Sequence, residues 1–429
     1  MGQNGNRAGS SADVRPHKRT GAPHKGAPSR SGSSLPRFVV VFVVMALVGI
    51  VGFSIWRQAD EQGRVEQQRA AIESQHKEMI LDPKVKRLID GLTLEQKVAQ
   101  LFVASPESVA DVELAVAAGE TTRQALTTYP VGGLLYQSGN LQTPEQTKEM
   151  LRSSQNYVKD ACGIPLFTCI SEEGGDYSPV AQNEAFDVPA VENAATLGSL
   201  DDEEKVRDAT RAIAGYLSDL GFNTNLAPVA SVSSDTGDSR SFGKDANVVG
   251  KLVRVQVGEY GRARMLCCPK SFPGVDGCDA SGAGTSTSSL TSDELFNGPV
   301  VPFVGAIDKG APLVMVGSTS CAGLGDGAGS VPACMSADVI EGLLRERAGF
   351  DGVVITCPMD KKSVSNACNS ADQAIKAIEA GADMVLLPSD FKAAYKGLLV
   401  AVKQGKISEE RIDESLGRII SAKREYGLV

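Results

Sequence analysis

The sequence predicts an α/β chain: a (β/α)8 TIM-type barrel preceded by a disordered tail, one transmembrane helix and a helical stalk. Three observations predict it. From residue 82 on, short apolar runs alternate with helix-length amphipathic stretches, and the runs number eight. These runs are continuous rather than alternating in polarity, the pattern of strands buried on both faces of a parallel sheet. Eight such units over about 350 residues fit a (β/α)8 barrel.

The chain has 429 residues, and the first 37 carry Arg7, Arg15, Lys18, Arg19, Lys25, Arg30 and Arg37 against the single acid Asp13. This tail is rich in Gly, Ser, Pro and Asn. It cannot bury enough apolar surface to offset its ordering entropy, so residues 1–37 are expected to be a disordered cytoplasmic tail. Residues 38–56, Phe38 to Trp56, contain no charge. A run of about 19 residues spans roughly the hydrocarbon thickness of a bilayer. Cations crowd its N-terminal flank, which predicts a single-pass cell-membrane protein with a cytoplasmic N-terminus and an extracellular barrel. A cleaved signal peptide is the competing reading, but the run and tail are long and no A-x-A-like site follows. Residues 57–81 are charged and lack a heptad, as a solvated helical stalk would.

In the barrel, residues 82–429, the strand candidates are QLFVA (100–104), VGGLLY (131–136), IPLFTCI (164–170), FNTNLAPV (222–229), RMLCCP (264–269), APLVMVGS (311–318), FDGVVITC (350–357) and ADMVLLPS (382–389). The stretch 201–220 reads as a helix with Asp201 or Asp202 as its N-cap and acids in the first turn. A doubly wound open sheet is the alternative architecture, but no G-x-G-x-x-G follows the first strand. The net charge of -9 disfavours nucleic acid as a partner. In a barrel, chemistry sits at the C-terminal strand ends. Those ends are 171–175, 231–245, 270–283, 318–326, 357–360 and 389.

Several segments there, in order, resemble glycoside hydrolase family 3 in its β-N-acetylhexosaminidase branch. They are LTLEQKVAQLF, VGGLLY with TPEQTKEML, EEGG (172–175), NLAPVASV (225–232), SRSFGKD (239–245), PKSFPG (269–274), FDGVVIT (350–356) and the ending AGADMVLLP with GKISEERIDESLGRIISAKREYGL. The resemblance runs from about Leu92 to Val429. It implies O-glycosyl hydrolysis of peptidoglycan-type amino sugars, no cofactor and no metal.

This chain departs from the family at its catalytic positions. The family's nucleophile is an Asp directly after G-V-[IV]-x-T, and here Cys357 stands there. The family's acid/base His lies on the loop that here reads VDGCDASGAGTSTSSL (275–290). The three His of the chain are His17, His24 and His76, all before the barrel. Ser271 and Val275 replace the histidines of K-H-F-P-G-H-G, Ser171 the Asp of D-x-E-G-G, and Asp176 the Arg after it. Arg240 and Lys270 remain at sugar-contacting positions of the family. The mouth is therefore expected to be lined by Ser171, Glu173, Arg240, Lys270, Ser271, Cys357 and Met359, with no residue assigned to catalysis. Glu172, Glu173, Asp276, Asp279 and Asp360 are the candidates for a rebuilt carboxylate pair. Arg240 and Lys270 have a second reading as internal ion-pair partners of Asp245 or Asp276.

All nine cysteines lie in the barrel. In an exported domain that usage points to disulfides. The candidates are Cys267, Cys268, Cys278, Cys321, Cys334, Cys357 and Cys368. Buried unpaired cysteines are the alternative. A metal site has neither a C-x2-C nor a barrel His behind it.

Retaining hydrolysis needs a carboxylate nucleophile and a proton donor. With both replaced, the expected function is a catalytically degenerate family 3 relative that binds cell-wall glycan or an envelope protein. The alternatives are an active hydrolase with an atypical catalytic pair and a structural envelope protein.

Overall fold

The computed structural model describes residues 81–275, 286–325 and 331–429. The chain divides into two units, 1–78 and 79–429, and every described residue belongs to the second.

The described residues form ten strands: β1 (Phe102–Ala104), β2 (Gly133–Leu135), β3 (Phe167–Ile170), β4 (Thr224–Asn225), β5 (Leu266–Cys267), β6 (Thr287–Ser288), β7 (Leu313–Val316), β8 (Ser320–Cys321), β9 (Val353–Thr356) and β10 (Val385–Leu386). Six of them form one parallel sheet in the order β10-β1-β2-β3-β4-β5. Its register places Phe102 beside Val385, Gly133 beside Phe167 and Thr224 beside Leu266. β7 pairs with β9, and β6 with β8.

The expected continuous (β/α)8 barrel is thereby corrected to a curled parallel half-barrel of six strands, with the separate β7–β9 pair linked to its neighbours only by isolated bridges, Phe272 to Val316 and Ile355 to Met384. Side-chain chemistry explains why the ladder breaks at these two seams. After β5 come Pro269 and Pro273, which have no N–H to donate. Beside β9 the Asp383 carboxylate takes the Val354 N–H at 2.9 Å. The expected tail, transmembrane helix and stalk fall on residues outside the described ones, apart from Leu81. Among the described residues no helix is long and apolar enough to cross a membrane.

The helices follow local signals. Thr93 and Gln96 form a capping box at the start of Leu94–Ala99. Asp202, not Asp201, caps Glu203–Leu220 by accepting from the N–H groups of Glu204 and Lys205. Asp201 instead ends the preceding helix, Ala194–Leu200, in the left-handed region.

Asp383 ties the seam to the outer helices. Its carboxylate accepts from Arg345 Nη2 at 2.7 Å, Arg418 Nη1 at 2.9 Å and Ser415 Oγ at 2.8 Å. Burial raises its pKa, but the arginine charges more than offset that and hold it below the usual carboxylate range. Removing one partner of a buried ion pair strands the others in low dielectric. Asp383→Ala should therefore lose about 3–5 kcal/mol in urea unfolding, and a loss under about 1 kcal/mol would contradict this role.

Candidate functional site

A cavity of about 520 Å³ opens at the C-terminal ends of β2, β3, β4, β5, β9 and β10. The first step in building it is the chain after β3. Glu172 turns into the protein and staples this segment. Its carboxylate accepts from Val180 N at 2.9 Å, Ala181 N at 3.0 Å and Tyr216 Oη at 2.8 Å. Burial raises its pKa against these hydrogen bonds. Gly174 makes the turn with φ 99°, and a Cβ there would sit 2.7 Å from the Glu192 carbonyl. The turn delivers the next carboxylate, Glu173, to the cavity.

Glu173 is bound by two cations. Arg240 grips it in a fork, Nε to Oε2 at 2.7 Å and Nη2 to Oε1 at 2.7 Å. Lys270 Nζ approaches Oε1 at 2.6 Å. All three side chains are largely buried, at 6% exposure for Glu173, 13% for Arg240 and 5% for Lys270. Burial pushes the Glu173 pKa up, but the Lys270 charge and the Arg240 hydrogen bonds outweigh it and leave the pKa below the ordinary value. Arg240 also lies over the Tyr177 ring, 4.5 Å from its centroid, and Lys270 donates to Ser171 Oγ at 3.3 Å. The ion-pair reading of Arg240 and Lys270 thus holds with a different acid. Asp245 instead caps the helix Ala246–Arg262, and Asp276 lies outside the described residues.

Directly after β9 comes Cys357, whose N–H donates to the Val316 carbonyl at 2.7 Å. Cys357 lines the cavity and is 3% exposed. Its sulfur is 3.8 Å from Cys334 Sγ. The Cys334 thiol lowers the Cys357 pKa against burial, helped by the Lys361 charge, while Cys334 itself is pushed well up.

Of the residues expected at the mouth, Ser171, Glu173, Arg240, Lys270, Ser271 and Cys357 all line the cavity. Met359 does not; it is fully buried, with its Sδ 3.9 Å from Cys334 Sγ. Sequence reasoning missed Tyr177 and Lys361, which also line it. Lys361 carried a usable signal, since it lies four residues past the end of β9's Cys357 motif.

Among the described residues the cavity-lining carboxylates are Glu173 and Asp176. Asp360 is absent from the lining, and burial raises its pKa. Asp279 lies outside the described residues. The disulfide expectation is corrected as well. Cys267, Cys268, Cys321, Cys334, Cys357 and Cys368 are free thiols, and Cys278 lies outside the described residues. Cys267, Cys268 and Cys321 are shut into the core. The near pair Cys334–Cys357 stands at 3.8 Å, whereas an S–S bond measures about 2.05 Å.

Residues 93–422 match the model of the glycosyl hydrolase family 3 N terminal domain. The chain belongs to this family. Family 3 relatives include "Beta-hexosaminidase A" of Pseudoalteromonas piscicida, 26% identical over 70% of this chain and 54% of the relative. A solved family 3 beta-N-acetylglucosaminidase from Paenibacillus sp. str. FPU-7 is 33% identical, with a TM-score of 0.71, over 79% of this chain and 63% of that one. The chain spans about half the length of the first curated relatives it matches. An "Uncharacterized secreted glycosyl hydrolase" of Arthroderma benhamiae is 25% identical over 75% of this chain and 96% of the relative. The expected single-pass cell-membrane placement is at odds with a relative named as secreted, and the span that carried it, residues 38–56, lies outside the described residues.

The Glu173 cluster has two measurable consequences. Glu173→Ala leaves two buried cations facing each other and should cost about 3–5 kcal/mol in chemical unfolding. The folded pKa of Glu173 lies below its unfolded value. Its contribution is therefore complete above about pH 4.3 and is lost as pH falls through the folded pKa. Glu173→Gln should flatten the fall in stability between about pH 5 and 3, and an unchanged acid limb would refute the paired, ionised state.

Proposed function

We propose that this family 3 chain binds a β-linked N-acetylamino sugar, such as the end of a cell-wall glycan, without hydrolysing the glycosidic bond. The observation that carries the reading is the state of the cavity's carboxylates. Glu173, the buried one among the described residues, is ionised and committed to Arg240 and Lys270. A carboxylate held in that state has no proton to give to a leaving group. At the end of β9, where the family resemblance places the nucleophile, the side chain is a thiol. Retaining hydrolysis asks for two carboxyl groups about 5–5.5 Å apart with divided roles. General acid/base help alone is worth about 10²–10⁴-fold. Every His of the chain precedes residue 82.

Support for binding comes from shape and donors. A cavity of about 520 Å³ is within the usual range for small ligands. Its lining includes the cations Arg240, Lys270 and Lys361 and the Tyr177 ring, side-chain types suited to sugar hydroxyls and a sugar face. A cavity at the strand ends with charged side chains in a largely apolar lining favours binding over a purely structural role.

With the full chain, a p-nitrophenyl N-acetyl-β-glucosaminide should release no chromophore above buffer. Titration calorimetry with chitobiose should show saturable binding, weakened about tenfold, roughly 1.4 kcal/mol, by Lys361→Ala. Chromophore release that survives repurification would establish an active hydrolase with an atypical pair, and the absence of saturable binding would overturn the glycan reading.

A further inference from the structure

At and beneath the cavity floor lie three sulfur atoms to which the glycan reading gives no binding role. Cys357 closes β9, Met359 follows two residues later, and Cys334 comes from the short turn Ala333–Met335. Their exposures are 3% for Cys357, 0% for Met359 and 0% for Cys334. Cys334 Sγ lies 3.8 Å from Cys357 Sγ and 3.9 Å from Met359 Sδ. We propose that Cys334, Cys357 and Met359 form a trigonal all-sulfur site for a soft monovalent cation of the Cu(I) class.

The spacing is the first argument. A metal bound to sulfur at about 2.3 Å in threefold geometry keeps its ligands about 4.0 Å apart, which is √3 times the bond length. Cys334 stands close to that spacing from both of its partners. A disulfide would instead require Cys334 and Cys357 to close to about 2.05 Å.

The second argument is ligand softness. Two thiols and one thioether select Cu(I) over the hard cations that prefer carboxylates and water. Zinc favours four ligands drawn from thiolate, imidazole and carboxylate. Among the described residues no three His, Cys, Asp or Glu side chains come together as a metal site, so the third ligand here has to be the thioether.

Backbone anchoring is the third. The Cys357 N–H donates to the Val316 carbonyl at 2.7 Å, and the Cys334 N–H to the adjacent Gly317 carbonyl at 3.0 Å. Both cysteines therefore hang from the end of β7. The Met359 N–H donates to the Leu386 carbonyl of β10 at 2.9 Å. Each ligand residue is thus pinned by its backbone N–H to a carbonyl in or next to a strand, as a preorganised site requires.

Charge and access also fit. On binding, each thiol releases its proton to solvent as its sulfur bonds the metal, and no electron is transferred. Two thiolates and one monovalent cation leave a net charge of one negative. Lys361, whose charge already acts on Cys357, lies on the same cavity wall to balance it. Cys357 borders the cavity, so the ion's route in is the mouth itself.

The test is an anaerobic titration of the reduced full chain with Cu(I) against bicinchoninate. One Cu(I) per chain should be withheld from the chelator, with sulfur neighbours at about 2.3 Å in X-ray absorption. Met359→Leu keeps the volume and removes the thioether, so it should weaken retention at least about tenfold. Cys334→Ser should abolish retention, while Cys162→Ser, at the end of the helix Pro144–Cys162, should leave it unchanged. Circular dichroism checks that each variant is folded; if Cys334→Ser is not, Met359→Leu decides. No withheld copper, or equal retention by Met359→Leu, would overturn the site. So would a wild-type chain that oxidises to a Cys334–Cys357 disulfide and binds no copper when reduced again.

Discussion

The mouth of this protein is organised around one buried carboxylate held between two cations. Glu173 cannot sit there neutral, because its neighbours are Arg240 and Lys270, and the cations cannot sit there alone, because each is shielded from water. The cluster joins three separate segments, those after β3, β4 and β5. The loop after β3 is in turn fixed by Glu172, which satisfies the N–H groups of Val180 and Ala181. Two adjacent glutamates thus divide the work. One builds the loop, and the other sets the charge of the cavity. An acid that must stay ionised for the site to hold together is unsuited to donating a proton, and this links the architecture to the proposed absence of turnover.

Much of this was legible before any coordinates. Each of the eight apolar runs contains a parallel strand, because continuous hydrophobic stretches bounded by Gly and Pro have few other ways to be buried. The strand ends also located the cavity, and six of the seven residues expected there line it. What was not legible depended on contacts between distant segments. The regular ladder stops at β5 because Pro269 and Pro273 interrupt it, and at β9 because Asp383 captures the Val354 N–H. Prolines can be counted in a sequence, but the partner of a buried carboxylate cannot. For the same reason Asp245 was a plausible partner of Arg240 and Lys270, although Glu173 is the acid that pairs with both.

The cysteines show the same limit. Their number pointed to cross-links, and the described ones are instead free thiols, mostly packed as small apolar groups in the core. Met359 was expected at the mouth and lies under it, with its N–H held by the Leu386 carbonyl and its side chain fully buried. The position that the family resemblance assigns to a nucleophilic carboxylate thereby became part of a sulfur-rich floor.

The account rests on the claim that no residue of the cavity forms a glycosyl-enzyme bond. Intact-mass analysis of the full chain tests this most directly, after incubation with a 5-fluoro N-acetylglucosaminyl fluoride, an activated donor that needs little acid assistance. The account predicts an unchanged mass after prolonged incubation. A stoichiometric glycosyl adduct, whether on Cys357 or on a carboxylate, would contradict it.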